Sequence, residues 1–415
     1  MRLAVMRGAR AAFGALLCVL VISCGGGGEG DDTSGGGSGG GSGGGTTPTG
    51  SNVAAAVVDA GPTNNSANTL YVSVTVCMPE STTQCQTIDN VEVDTASYGL
   101  RILSSVLTLN LPVETLSNDS AVVECTNFVQ GYAWGPVALA NVQIAGETAA
   151  SVPVQIIGSS TYTNVPDSCS STGTAVNTVA AFGANAILGV GPFVPDCGAG
   201  CASAALPGTY YACSAPTTCV ETAISLAGQV QNPVSSFATD NNGVIVQLPS
   251  VPAAGAETVS GYLIFGIDTQ SNNASGTQTV LTVDDDDYLT VTFNGQSLPQ
   301  SFIDSGTNGI YFNDADLTVC TQSGLTDFYC PSSTENFTAT LTGINGMTTS
   351  IPFSVANTLD LFNNSTFTAF ANLGGTYPGS NTSFDFGLPF YYGRRVATAI
   401  EGNTTTVGTG PYFAF

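Results

Sequence analysis

Residues 301–310 read Ser301-Phe302-Ile303-Asp304-Ser305-Gly306-Thr307-Asn308-Gly309-Ile310, and they align without a gap on Val91-Glu92-Val93-Asp94-Thr95-Ala96-Ser97-Tyr98-Gly99-Leu100. Both segments run apolar, Asp, hydroxyl, small, hydroxyl, any residue, Gly, apolar. A second matched feature follows each at a comparable distance: Ile187-Leu188-Gly189 after the first, Phe386-Gly387 after the second. Each of these glycines is soon followed by a Pro-Phe step, Pro192-Phe193 and Pro389-Phe390. A single Asp-Ser-Gly-Thr string recurs by chance. Two in register, each with its own later apolar-Gly segment, mark an internal duplication. Duplicated halves related by a pseudo-twofold axis can bring Asp94 and Asp304 together on that axis.

The surrounding sequence predicts strands. Leu70, Val72, Val74 and Val76 alternate with Tyr71, Ser73 and Thr75, the period of two of a half-buried strand, and the same alternation returns at Leu289, Val291 and Phe293. Gly, Pro, Asn and Ser clusters interrupt the chain every ten residues or so, as antiparallel all-β folds require. Helical periodicity is confined to short candidates at 104–107, 221–230 and 314–319. The expected fold class is all-β and bilobal, with an N-terminal lobe over 53–255 and a C-terminal lobe over 256–415.

Composition narrows the function. The chain has 415 residues, 30 of them acidic and 6 basic, for a formal charge of -24, and it has no histidine. All six cations are arginines, and three of them (Arg2, Arg7, Arg10) lie in the first ten residues. Nucleic-acid binding depends on cations that displace phosphate counterions, so no nucleic-acid partner is expected. Without histidine there is no Ser-His-Asp triad, no Cys-His pair and no HExxH zinc site. The abundant reactive group is carboxylate.

The first 24 residues hold a basic start and an apolar run over 11–22, too short to span a bilayer core of about 30 Å, and they read as a signal peptide. The run ends Val21-Ile22-Ser23-Cys24, which resembles the bacterial lipobox; Cys24 is then the lipidation site and the membrane partner is reached through a lipid anchor. Residues 25–52 form a Gly/Ser-rich tether. Gly25 after the cysteine points to the outer membrane, in a Gram-negative cell envelope. Ten cysteines remain after Cys18 and Cys24: Cys77, Cys85, Cys125, Cys169, Cys197, Cys201, Cys213, Cys219, Cys320 and Cys330. An even set in an exported protein reads as disulfides, with short loops favouring Cys77 with Cys85 and Cys320 with Cys330. The group at 197, 201, 213 and 219 also admits a four-thiolate zinc site, although its spacing is not that of a close-paired knuckle.

The two Asp turns and their apolar-Gly segments resemble those of the pepsin-like aspartic peptidases. In that family each lobe supplies one Asp from an Asp-Thr/Ser-Gly-Ser/Thr turn, and an apolar-apolar-Gly segment crosses behind each turn. Residues 128–146 resemble the flap hairpin and the strand after it, 262–268 the start of the second lobe, and 386–392 with 396–400 the closing strands. The chain also resembles a group of uncharacterised proteobacterial lipoproteins with Asp-Thr-Gly-Ser and Gly-Leu-Pro-Phe segments. The resemblance implies that Asp94 and Asp304 are catalytic and that Ser97 and Thr307 hold the outer carboxylate oxygens. It implies that Thr95 and Ser305 brace the turns, with Ala96 and Gly306 at the small position. Ala96 stands where the family has Gly, and its methyl fits only if the local φ is negative. An ungapped comparison of the flap puts Phe128 at the family's tyrosine position, with Tyr132 and Trp134 at the tip.

Such a pair of carboxyls shares one proton, activates a water and needs no metal, cofactor or covalent intermediate. The expected activity is endopeptidase action on a polypeptide substrate. The alternative is a pepsin-fold envelope lipoprotein without catalysis that holds a protein ligand or is structural. The run Asp284–Asp287 reads as a solvated turn before the strand at Leu289, in preference to a calcium loop, because it lacks spaced ligands. Arg394 and Arg395 read as ion-paired.

Overall fold

A computed structural model describes residues 47–379 and 381–415 of the chain. The signal segment, Cys24 and the first part of the tether lie outside the described residues. Over the described part the protein is all-β, as its alternating patterns and β-branched composition predict. The strands are β1 (Val53–Val58), β2 (Leu70–Cys77), β3 (Cys85–Asp94), β4 (Tyr98–Leu103), β5 (Ala121–Phe128), β6 (Gly131–Ile144), β7 (Glu147–Ile157), β8 (Ala186–Val190), β9 (Tyr210–Ala215), β10 (Thr218–Glu221) and β11 (Gly243–Gln247). They continue with β12 (Val259–Phe265), β13 (Val280–Thr282), β14 (Leu289–Phe293), β15 (Gln296–Ile303), β16 (Ile310–Tyr311), β17 (Glu335–Thr342), β18 (Thr348–Val355), β19 (Gly374–Gly375), β20 (Asp385–Phe386), β21 (Arg395–Ala399) and β22 (Tyr412–Ala414).

Two sheets result, one ordered β10-β9-β5-β6-β7-β4-β8-β3-β2-β1-β12-β11-β21-β22-β13 and one ordered β18-β17-β14-β15-β20-β16-β19. The sequence repeat reappears as a repeat of pairing. β3 runs parallel to β8, β8 antiparallel to β4, and β4 parallel to β7. In the other sheet β15 runs parallel to β20, β20 antiparallel to β16, and β16 parallel to β19. In each case the Asp turn joins the first strand to a partner two places away, and the apolar-Gly strand is inserted between them. β8 is buried along its whole length, which is why residues 186–190 are continuously apolar instead of alternating.

The inserted strands must approach the turns closely. A side chain at Gly189 would run into the backbone of Ser97 and Tyr98, and one at Gly387 into the carbonyls of Thr307 and Gly309. Only glycine allows this contact at either place. The main apolar core draws on both sheets, with Val93, Leu100 and Leu188 packed in the same cluster as Ile303, Ile310 and Phe386.

β2 buries Leu70, Val72, Val74 and Val76 while Ser73 faces solvent, as the alternation predicts. Tyr71 departs from it: the ring is buried and its hydroxyl donates to the Gly183 carbonyl at 2.9 Å. The helical candidates fare poorly. Residues 104–107 and 314–319 are turns or irregular, and of 221–230 only Leu226–Gly228 forms a 3-10 turn. Their apolar residues do not share one face: Ile224 and Leu317 are buried while Leu226 and Val319 are exposed. Among the described residues no helix is long and apolar enough to cross a membrane.

All ten cysteines form disulfides: Cys77–Cys85, Cys125–Cys169, Cys197–Cys201, Cys213–Cys219 and Cys320–Cys330. The two short-loop pairings are those expected. The group that admitted zinc is spent in two bridges, Cys213–Cys219 lying across the β9-β10 hairpin where the two residues are directly opposed.

Candidate active site

The period of two in β3 sends Val91 and Val93 into the core and turns Glu92 and Asp94 to the other face. Asp94 ends its strand opposite Gly189, and Asp304 follows β15 with its N–H donating to the Phe386 carbonyl at 3.0 Å. These equivalent positions bring the two carboxyls to the same place: a methyl built at Gly306 would touch both, at 2.8 Å from Asp94 Cγ and 3.1 Å from Asp304 Oδ1. The Ala96 N–H donates to Asp94 Oδ1 at 2.8 Å and the Gly306 N–H to Asp304 Oδ1 at 2.7 Å. Burial, the adjacent Asp94 charge and the hydrogen bond to Asp94 hold the Asp304 carboxyl well above the usual carboxylate range. A like charge beside a buried carboxyl disfavours its ionised form, so Asp304 keeps its proton beyond the usual carboxylate range.

The turns are locked to each other by their hydroxyls. The Thr95 N–H donates to Ser305 Oγ at 3.2 Å and the Ser305 N–H to Thr95 Oγ1 at 3.0 Å. Ser305 Oγ donates to the Val93 carbonyl at 2.7 Å, and Thr95 Oγ1 lies 3.2 Å from the Ile303 carbonyl and 2.8 Å from the Tyr391 hydroxyl. Thr95, Ser305 and Tyr391 are all fully buried, so every member of this network depends on its protein partners. The serine and threonine types are needed because each must accept an N–H across the axis while donating to a carbonyl.

The outer oxygens are held unequally. Thr307 Oγ1 donates to Asp304 Oδ2 at 2.7 Å, the bond expected of it. Ser97 does not do the same for Asp94: its hydroxyl is buried with no partner, and Asp94 is held by the Ala96 N–H and the Asp304 carboxyl instead. Ala96 lies outside the left-handed region, so its methyl brings no backbone strain. At Gly306 a methyl would sit 2.8 Å from Asp94 Cγ and 3.1 Å from Asp304 Oδ1. The small residue is therefore obligatory in the second turn.

The β5-β6 hairpin overhangs this site, but its tip is Val129-Gln130, between the paired Phe128 and Gly131. Phe128 and Val129 line the cleft above the dyad, Phe128 packing edge-on to Phe182 with ring centres 5.7 Å apart. Tyr132 and Trp134 are not at the tip. Trp134 is buried on the hairpin's other side, donating from Nε1 to the Tyr162 carbonyl at 2.8 Å and lying edge-on to Tyr211, and Tyr132 packs in the same cluster. A two-residue turn at 129–130 places both further down the hairpin than the ungapped comparison implied.

Seven further carboxyl residues line the cleft, and three of them have carboxyls raised in part by the charge of the dyad: Glu92, Asp287 and Asp385. Each is held well above its ordinary range by burial first and by the dyad's charge second, with Asp287 also raised by Asp284. Glu92 pairs in register with Ile187, and Asp385 with Phe302, so each half sets one acid and one apolar residue beside its turn Asp, on swapped strands. The Asp284–Asp287 run is only partly the solvated turn expected of it. Asp285 and Asp286 are exposed, but Asp287, with φ of 69°, turns inward to 6% exposure and accepts from the Tyr98 hydroxyl at 3.4 Å.

Arg101 lies under the first turn at 2% exposure and donates to Glu124 Oε1 at 2.7 Å, Asp196 Oδ2 at 2.8 Å, Thr126 Oγ1 at 3.0 Å and the Tyr98 carbonyl at 2.5 Å. Its charge is committed to two carboxylates. Arg394 and Arg395 form no ion pair among the described residues, contrary to expectation. Arg394 stacks 4.7 Å above the Phe390 ring, and Arg395 donates to Gln247 Oε1 at 2.9 Å and to the Asn272 carbonyl at 2.8 Å. Ring and amide acceptors take the place of carboxylates there.

Fold and site together define an all-β protein organised around two matched, cross-braced Asp turns. The chain belongs to the family described as protein of unknown function DUF3443, whose pattern matches residues 48–415. No curated protein matches the chain.

Proposed function

We propose that the protein is a pepsin-like aspartic endopeptidase, with lobes over 53–255 and 256–415 and a catalytic dyad of Asp94 and Asp304. The observation that carries this reading is the closeness of the two carboxyls, both within reach of one methyl position at Gly306, at the centre of a reciprocal Thr95–Ser305 network. In the reaction the ionised carboxyl takes a proton from a water between the pair, the water attacks the scissile carbonyl, and the protonated carboxyl donates to the carbonyl oxygen. Collapse of the tetrahedral diol returns one proton to the dyad and passes one to the leaving amine. The Ala96 and Gly306 N–H groups hold the Oδ1 atoms of Asp94 and Asp304 in place. Phe128 and Val129 close over the substrate from the hairpin.

Secretion and acylation at Cys24 would anchor this domain at the outer membrane through residues 25–52, with a polypeptide as its substrate. A transition-state mimic of the statine type, whose hydroxyl takes the place of the attacking water, is the direct probe. It should bind the mature protein and lose affinity on Asp94→Asn and on Asp304→Asn. Equal affinity for all three proteins would reject the peptidase reading and favour a ligand-binding lipoprotein, a role with which the unpartnered Ser97 hydroxyl is compatible. Palmitate labelling that survives Cys24→Ala would reject the anchor.

A further inference from the structure

The cleft around the dyad is acidic far beyond what hydrolysis by two carboxyls requires. Glu92, Asp287 and Asp385 stand beside Asp94 and Asp304, and the one cation in the lining, Arg101, is already bound by Glu124 and Asp196. Two of the added acids are incomplete. Asp287 Oδ1 and Asp385 Oδ1 have no hydrogen-bond partner, although their residues are 6% and 5% exposed. A buried carboxyl oxygen without a partner carries a desolvation cost that a native fold leaves standing only where something else meets it. The same cleft is walled by Phe128, Phe182, Phe193, Tyr288 and Phe302, surfaces that take an aliphatic or aromatic stem.

Carboxyl groups in a cleft with aromatic walls match a cation on a hydrocarbon stem. The aromatic walls favour an organic cation, whose stem they can pack against. Building on the peptidase reading, we propose that the cleft selects polypeptides with a lysine or arginine side chain next to the bond presented to the dyad, its charged end received by Asp287 and Asp385. Each half contributes to this selectivity, because Glu92 occupies in the first half the strand partner of the place that Asp385 occupies in the second. The chain's charge of -24 with few cations adds long-range attraction for basic segments.

The test uses the mature protein and a set of peptides identical except for one Lys, Arg, Gln or norleucine flanking a single susceptible bond. Both binding by calorimetry and cleavage by mass spectrometry are read. The Lys and Arg peptides should bind and be cleaved in preference to the Gln and norleucine peptides by roughly ten- to a hundredfold, the range for a hydrogen bond to a charged group. Asp287→Asn and Asp385→Asn should each reduce that ratio. If one variant fails to fold, the other and the wild-type ratio still decide. Dyad-dependent cleavage with equal rates for all four peptides overturns the selectivity and leaves the peptidase reading intact. Selective binding of basic peptides without cleavage upholds the selectivity and overturns the peptidase reading.

Discussion

Replacing Thr95 with valine keeps the shape of the side chain and removes one oxygen on which both turns depend. Thr95 Oγ1 accepts the Ser305 N–H at 3.0 Å and pairs with the Tyr391 hydroxyl at 2.8 Å, and Thr95, Ser305 and Tyr391 are each 0% exposed. Neither abandoned donor can reach water. At about 1–3 kcal/mol for each buried group left unsatisfied, the substitution should cost about 4 kcal/mol. Thr75→Val is the control, because its hydroxyl pairs with Thr87 at 2.7 Å in an exposed position. That change should stay within about 0.5 kcal/mol. Urea unfolding followed by far-ultraviolet circular dichroism gives both values, with the slope unchanged so that the midpoint reports stability. Ser305→Ala removes the reciprocal contacts to the Thr95 N–H and the Val93 carbonyl. The double variant should fall short of the summed single costs by about 0.5–3 kcal/mol, as expected of residues in one network. A Thr95→Val cost no larger than that of the Thr75→Val control would refute the claim that this network holds the turns together.

The two turns should respond differently to a methyl group: Gly306→Ala forces a carbon to 2.8 Å from Asp94 Cγ and should abolish turnover, whereas Ala96→Gly should leave the fold intact and keep or raise it. Initial rates together with melting temperatures separate the two effects. The buried acids Glu92, Asp287, Asp304 and Asp385 all have raised folded values, so their contribution to stability is complete below the ordinary carboxylate range near about 4 and is lost as pH rises through those raised values. Urea midpoints should therefore fall from mildly acidic to mildly alkaline solution, and Asp287→Asn should flatten that slope.

The sequence carries the dyad and its braces because duplication writes the same local chemistry twice, and a gapless repeat centred on Asp leaves little freedom in its reading. The inserted Gly strands were legible for the same reason. Glu92 and Asp385 were within reach of the period of two, which places Glu92 on the face of Asp94. Periodicity alone does not single them out, because an acid in a strand reads as solvent-facing. Asp287 was beyond such reasoning: in a run of four aspartates nothing local distinguishes the one whose positive φ turns it inward. Arg101 is similar, since its partners Glu124 and Asp196 come from distant strands and loops that only the folded chain assembles. The hairpin tip was misplaced because strand pairing, and not spacing from a flanking Gly, fixes where a two-residue turn falls.

The central claim is that Asp94 and Asp304 act as one unit holding one proton, and cleavage of an unfolded protein across a pH series tests it most directly. The raised Asp304 carboxyl keeps the shared proton above the usual carboxylate range, so wild-type activity should persist through mildly acidic pH and fall as that proton is lost. Asp94→Asn and Asp304→Asn should each remove nearly all activity at every pH, and the double variant should be no worse than either single one. Equal cleavage by the wild type and the Asp94→Asn protein across the series would contradict the account.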